Sequence, residues 1–144
     1  MNLFNKLQQR AEAGQPIRIG MIGAGKFGTM FLAQARSVPG IHVVGIVELR
    51  PEIARSNLTF VGWPKEQFSA TDLNDAVTHG TTFIGDDWPA LIRHSSIQIV
   101  VECTGNPIAA VDHCLVAFSE GKHVINVTVE ADAFCGVGLA AKAR

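Results

Sequence analysis

Five apolar runs recur along this chain, and each leads into a stretch with helical character. PIRIGMIG (16–23), IHVVGIVEL (41–49), TTFI (81–84), SIQIVVECTG (96–105) and HVINVTV (123–129) read as strands. Strands that alternate with helices call for a parallel sheet whose crossover helices cover both faces. The run 41–49 is apolar almost throughout, as expected of a strand with no solvent-facing side.

The helical stretches carry their own punctuation. Residues 3–13 place Leu3, Phe4, Leu7 and Ala11 on one face and stop at Gly14, so the first fifteen residues form an N-terminal helical element. KFGTMFLAQARSV (26–38) gathers Phe27, Met30, Phe31, Ala35 and Val38 before Pro39 and Gly40. RPEIARSNL (50–58) begins a helix with Pro51 in the first turn. Thr71 is the expected cap of DLNDAVTH, closed by Gly80, and Asp86 or Asp87 that of WPALIRH. Asn106 and Pro107 open a helix whose predicted buried face is Ile108, Val111, Leu115 and Phe118, ending at Gly121. The stretch 59–69 has no clear period and reads as a connection that packs its aromatics. GLAAKAR (138–144) reads as a helix only begun.

The first strand ends in three glycines at the spacing G-x-G-x-x-G: Gly23, Gly25 and Gly28. In a strand–turn–helix setting each has a task. Gly23 allows the tight turn, Gly25 lets the backbone come close to a pyrophosphate, and Gly28 lets the helix approach the strand. The helix start then offers free N–H groups and its positive dipole end. A dinucleotide site also needs an acidic residue at the end of the second strand, about 20 residues on. Glu48 stands there. Glu48 favours NAD by repelling a 2′-phosphate, whereas Arg50 could receive that phosphate, so NAD or NADP stays open. ECTGNP (102–107) ends a later strand, where Thr104, Gly105 and Asn106 either line the nicotinamide side or form an ordinary capped turn. The pattern as a whole is that of an α/β protein with a Rossmann-type doubly wound parallel sheet.

Composition excludes other classes. With 144 residues, 47% hydrophobic and a net charge of −1, the chain is a single globular domain. It has no electrostatic case for nucleic acid or an anionic membrane as a partner. No stretch is long and apolar enough to span a membrane. The three cysteines, Cys103, Cys114 and Cys135, form no C-x-x-C pair, which fits a reducing, cytoplasmic setting. His113, Cys114, His123 and Cys135 make no zinc spacing, and no metal is expected. His79 and His94 read as helix-end residues. Cys103, at a strand end, reads as a small core residue ahead of a nucleophile, since no activating base is identifiable.

The segments IRIGMIGAGKFGTMFLAQ, VVGIVELRPEIA, VVECTGNPIAAVDH and GKHVINVTVEAD resemble the N-terminal part of homoserine-dehydrogenase-like oxidoreductases that carry a SAF domain. That group includes the deoxyxylulose-phosphate-reductoisomerase-like enzymes. The resemblance implies an NAD(P)-binding domain, followed in the family by a domain that supplies catalysis and much of a homodimer contact. It carries Gly23, Ala24, Gly25, Lys26, Phe27 and Gly28 to the pyrophosphate loop. Glu48 and Arg50 fall at the adenosine ribose, and Thr104, Gly105 and Asn106 near the nicotinamide. Glu130 and Asp132 stand where related enzymes have a lysine, and either face the substrate or form an acidic helix cap. The chain stops at Arg144, before the family's sixth strand, so it is expected to be a cofactor-binding domain without its catalytic domain. Hydride transfer between nicotinamide and a carbonyl or hydroxyl carbon is the implied chemistry. The alternatives are a nucleotide-sensing module without turnover and a truncated, non-functional product.

Overall fold

The computed structural model describes residues 2–144; Met1 lies outside them. The chain runs through α1 (Leu3–Glu12), β1 (Ile17–Ile22), α2 (Lys26–Ala35), β2 (Ile41–Val47) and α3 (Pro51–Phe60). A short 3-10 helix (Lys65–Phe68) leads to α4 (Leu73–His79), β3 (Phe83–Gly85), α5 (Trp88–Arg93) and β4 (Ile99–Glu102). It closes with α6 (Pro107–Ser119), β5 (His123–Asn126) and α7 (Val129–Lys142). All strand pairs are parallel, in the order β3-β2-β1-β4-β5. The expected parallel α/β sheet is therefore present.

Two apolar layers flank that sheet. Ile19, Met21, Val43 and Ile46 meet Leu32, Ala54, Leu58, Trp63 and Phe68 on the side of α2 and α3. Ile22, Val44, Val47 and Val100 meet Ala76, Leu91, Ile92 and Ala117 on the side of α4 to α6. Strand side chains should alternate between faces, yet Val43 and Ile46 share a face three positions apart. The register explains it: Ile19 pairs with Val43 but Gly20 pairs with Gly45, so Val44 is an extra residue on β2.

Helix faces are where the expectations need correction. In α1 no residue is buried, and Leu3 and Phe4 stay exposed. In α2 the buried residues are Gly28, Leu32 and Ala35, while Phe27 and Met30 face outward. In α6 the buried set is Ala110, His113, Cys114 and Ala117; Ile108 and Leu115 are exposed and Val111 and Phe118 only partly covered. Short side chains let these helices sit close to the sheet, so the layer selects alanine and glycine over the bulkier residues on the adjoining arc. In the stretch 59–69, Trp63 and Phe68 pack as expected, but Phe60 is exposed. Asp72, not Thr71, caps α4, and Asp87 caps α5. The helix expected from 138 already begins at Val129, and the strands around 96–105 and 123–129 are trimmed to four residues each. Their remaining residues form the loops from which the site is built.

His42 makes stability depend on pH. Its Nε2 donates to the Thr81 carbonyl at 2.7 Å. Burial pushes its pKa down, the Thr81 bond opposes this, and the Arg18 charge adds to the fall, so the net direction is below the ordinary 6.5. His94 moves the same way, from burial and the Lys122 charge. A histidine held neutral by the fold contributes stability above its ordinary pKa, and that share is lost as pH falls through the lowered value. Thermal melts should therefore show the Tm falling as pH is lowered below about 6.5. The variant His42→Gln, which keeps a donor for Thr81, should flatten that slope.

Candidate functional site

From β1 the chain moves outward to β2 and β3, then returns across the sheet to β4 and β5. The turns after β1 and β4 therefore diverge, which opens a crevice at the carboxyl ends of the strands. A cleft of about 480 Å³ lies there. Gly23 and Gly25 line it from the first turn, and Glu48, Leu49 and Arg50 from the end of β2. Cys103, Thr104 and Asn106 line it from the end of β4, with Trp88, Ala109 and His113 on the outer wall.

The glycine loop is built from both sides. Gly23 has φ +97°, and a Cβ there would stand 2.7 Å from the Cys103 carbonyl oxygen. A Cβ on Gly28 would stand 2.9 Å from the Gly23 oxygen. These two glycines let β1, β4 and α2 touch. Gly25 differs: it lines the cleft, and nothing lies within 4 Å of its Cβ position. Three side chains fix the loop backbone. Glu48 Oε2 accepts from the Ala24 N–H at 2.9 Å, and Asn57 Nδ2 and Thr29 Oγ1 donate to the Ala24 carbonyl at 2.8 and 3.1 Å. No side chain caps α2. The N–H groups of Lys26, Phe27 and Gly28 have no acceptor among the described residues.

Glu48 takes a second bond from its neighbour, Leu49 N–H, to Oε1 at 2.9 Å. A carboxylate offers about four acceptor sites, so acceptor capacity remains on an edge that borders the cleft. Arg50 sits at the rim, exposed, just before α3.

The turn after β4 rests on a residue that the sequence did not single out. Glu102 is fully buried. Its Oε1 accepts from Thr104 Oγ1 at 2.6 Å, from the Thr104 N–H at 3.3 Å and from His113 Nδ1 at 3.2 Å. Its Oε2 accepts from Thr128 Oγ1. Burial would push the Glu102 carboxyl up, but the bonds from His113, Thr104 and Thr128 outweigh it and hold the group below the ordinary carboxylate range. Cys103 behaves oppositely. Burial, then the charges of Glu102 and Glu48, push its thiol up to about 12, and its Sγ donates to the Gly23 carbonyl at 3.1 Å. That is a packed thiol, as expected of a small core residue.

The predicted residues separate into two sets. Gly23, Gly25, Glu48, Arg50, Thr104 and Asn106 meet at the cleft. Ala24, Lys26, Phe27, Gly28 and Gly105 belong to the same two turns without lining the cleft; Ala24 and Gly28 are buried, and Lys26, Phe27 and Gly105 are exposed. Glu130 and Asp132 do not reach the cleft; they lie in the first turn of α7, where Asp132 Oδ1 accepts from Asn126 Nδ2 at 3.0 Å. Trp88 and His113 were not expected at the cleft. The signal for Glu102 was a charged residue ending a strongly apolar strand. His113 had none, because its role comes from where α6 packs. No metal-binding cluster of His, Cys, Asp or Glu exists among the described residues, and no helix among them is long and apolar enough to cross a membrane.

A family model described as an oxidoreductase family with an NAD-binding Rossmann fold (GFO_IDH_MocA) matches residues 17–126. Solved structures with the same fold include a homoserine dehydrogenase from Thiobacillus denitrificans, 22% identical with a TM-score of 0.64, over 89% of this chain and 27% of that one. A biliverdin reductase from Synechocystis, in complex with biliverdin and NADP+, is 21% identical with a TM-score of 0.61, over 90% of this chain and 35% of that one. A myo-inositol dehydrogenase from Lactobacillus casei, in complex with NAD(H) and myo-inositol, is 16% identical with a TM-score of 0.55, over 77% of this chain and 28% of that one. This chain thus spans about a quarter to a third of those proteins. No curated protein matches the sequence.

Proposed function

This chain belongs to the NAD-binding Rossmann oxidoreductase family, and we propose that it is the dinucleotide-binding domain of a homoserine-dehydrogenase-like NAD(P)-dependent oxidoreductase. One observation carries the reading. An uncapped helix start with three unpartnered N–H groups follows directly on Gly25, which lines the cleft and has open space at its Cβ position. Such a start favours an anion through its donors and its dipole. The pyrophosphate is assigned to Gly25, Lys26, Phe27 and Gly28, and an adenosine ribose to the free acceptor capacity of Glu48. Thr104 and Asn106 are assigned to the nicotinamide side.

The bound cofactor supplies hydride exchange with a carbonyl or hydroxyl carbon of a small-molecule substrate. The chain's own part is to hold and orient it. Asn57, Thr29 and Glu48 fix the loop backbone before any ligand arrives, so little ordering is left to oppose binding. No proton-transfer residue is assigned on this chain.

The test is a fluorescence titration of the chain with NADH and with NADPH. Saturable binding of NADH, tighter than NADPH, is the expected result, because the Glu48 carboxylate repels a 2′-phosphate. Absence of binding to the folded chain overturns the reading. The variant Glu48→Ala should lose about tenfold in NADH affinity and lose less for NADPH. Loosening of the Ala24 contact affects both nucleotides alike, so the ratio of the losses isolates the ribose. Equal losses would remove Glu48 from it.

A further inference from the structure

The bonds around Glu102 have only one consistent direction. An ionised carboxylate only accepts, and the hydrogen bonds on Glu102 keep it ionised. Thr104 and Thr128 must therefore donate their hydroxyl protons to it, and each can still accept one bond. They do: Thr104 Oγ1 accepts from the Asn106 N–H at 3.2 Å, and Thr128 Oγ1 from the Gly105 N–H at 3.1 Å. One buried carboxylate thus ties the turn after β4 to the turn after β5. His113 obeys the same rule, since its Nδ1 lies 3.2 Å from Oε1 and must carry a proton.

The other ring nitrogen is then the telling one. His113 lines the cleft, and its Nε2 has no partner among the described residues. It is not a sealed atom either: the buried, unpartnered side-chain atoms are Arg10 Nε, Arg18 Nε and Asn126 Oδ1. Trp88 packs against the ring at a centroid distance of 4.6 Å and an interplanar angle of 62°, which restrains its orientation.

We propose that Glu102 is a positioning residue that holds His113 in the Nδ1–H form, so that the Nε2 lone pair faces the cleft and accepts a hydrogen bond from a hydroxyl or amino group of the bound dinucleotide. The ligand half of this rests on the dinucleotide reading above. The tautomer half does not: the Nδ1 proton is required by the bond to Glu102, and the unpartnered Nε2 finds no acceptor among the described residues.

The test is nitrogen-15 NMR of the full chain labelled at histidine, at about pH 8, above the ordinary imidazole range. Without ligand, His113 should show a protonated Nδ1 and a bare Nε2, the reverse of the usual preference. A protonated Nε2, alone or with Nδ1, overturns the proposal. The variant Glu102→Gln keeps the shape but adds an amide that can donate, so a folded variant should show mixed tautomers; a retained single tautomer takes the positioning role from Glu102. NADH at saturation should shift the Nε2 resonance upfield, and the variant should bind NADH about threefold more weakly. Adenosine monophosphate and nicotinamide mononucleotide, each at saturation, tell which half carries the donor. Bound NADH that leaves Nε2 unmoved overturns the contact. If NADH does not bind, the dinucleotide reading and the contact fall together, and the ligand-free spectrum still decides the tautomer.

Discussion

Replacing Gly25 with valine should abolish NADH binding and leave the fold intact. The backbone at Gly25 has φ −70°, which any residue adopts, and no atom lies within 4 Å of the added Cβ. The chain alone therefore gives the side chain no reason to disturb it. The branched group would instead stand on the cleft side of the α2 start, in the space assigned to the pyrophosphate. A displaced pyrophosphate gives up charge-assisted hydrogen bonds to several N–H groups, and affinity should fall by about a hundredfold or more. The Tm should stay within a few degrees of the parent. A fluorescence titration beside a thermal melt reads both quantities. Gly25→Val with undiminished affinity would mean that the anion, if one binds, does not pass this point.

Gly23→Ala should do the opposite, by damaging the fold first. Its φ of +97° lies where side chains are strained. The added Cβ would also meet backbone, at 2.7 Å from the Cys103 oxygen and 2.8 Å from its carbonyl carbon. That backbone is anchored, because the Cys103 N–H donates to the Ile22 carbonyl at 2.9 Å. Strain and collision together should cost about 3 kcal/mol, which for a chain of this size lowers the Tm by roughly 10 °C. Thermal or urea unfolding measures it. A variant as stable as the parent would show that the turn relaxes freely, and the division of labour between the two glycines would have to be given up. Side by side, the substitutions ask whether the G-x-G-x-x-G pattern serves the ligand or the fold. The expected answer assigns its first glycine to the fold and its second to the ligand.

The sheet and the glycine turn were legible in the sequence because they rest on short-range signals. Apolar runs alternating with helical stretches imply a parallel sheet wherever the chain is cut. The spacing of Gly23, Gly25, Gly28 and Glu48 depends only on one strand, one turn and one crossover. The faces of α1, α2 and α6 were not legible. Apolar periodicity marks a broad arc of each helix, and the close approach of the sheet then chooses the small residues within it, such as Gly28, Ala35, Ala110 and Ala117.

Glu102 and His113 show the limit most clearly. They stand on adjacent elements, β4 and α6, and Thr128 joins them only because β5 brings the turn before α7 beside the end of β4. By itself, the sequence determined the parallel α/β architecture, the turn that opens the cleft, and the carboxylate of Glu48 at its edge. The tertiary structure alone decided that, of the three glycines in the G-x-G-x-x-G turn, Gly25 is the one with free space. It also decided that Glu130 and Asp132 lie away from the cleft and that a buried carboxylate holds the turn after β4. Local pattern specifies which elements form; hydrogen bonds between residues far apart in the chain depend on how those elements pack, and no local pattern records that.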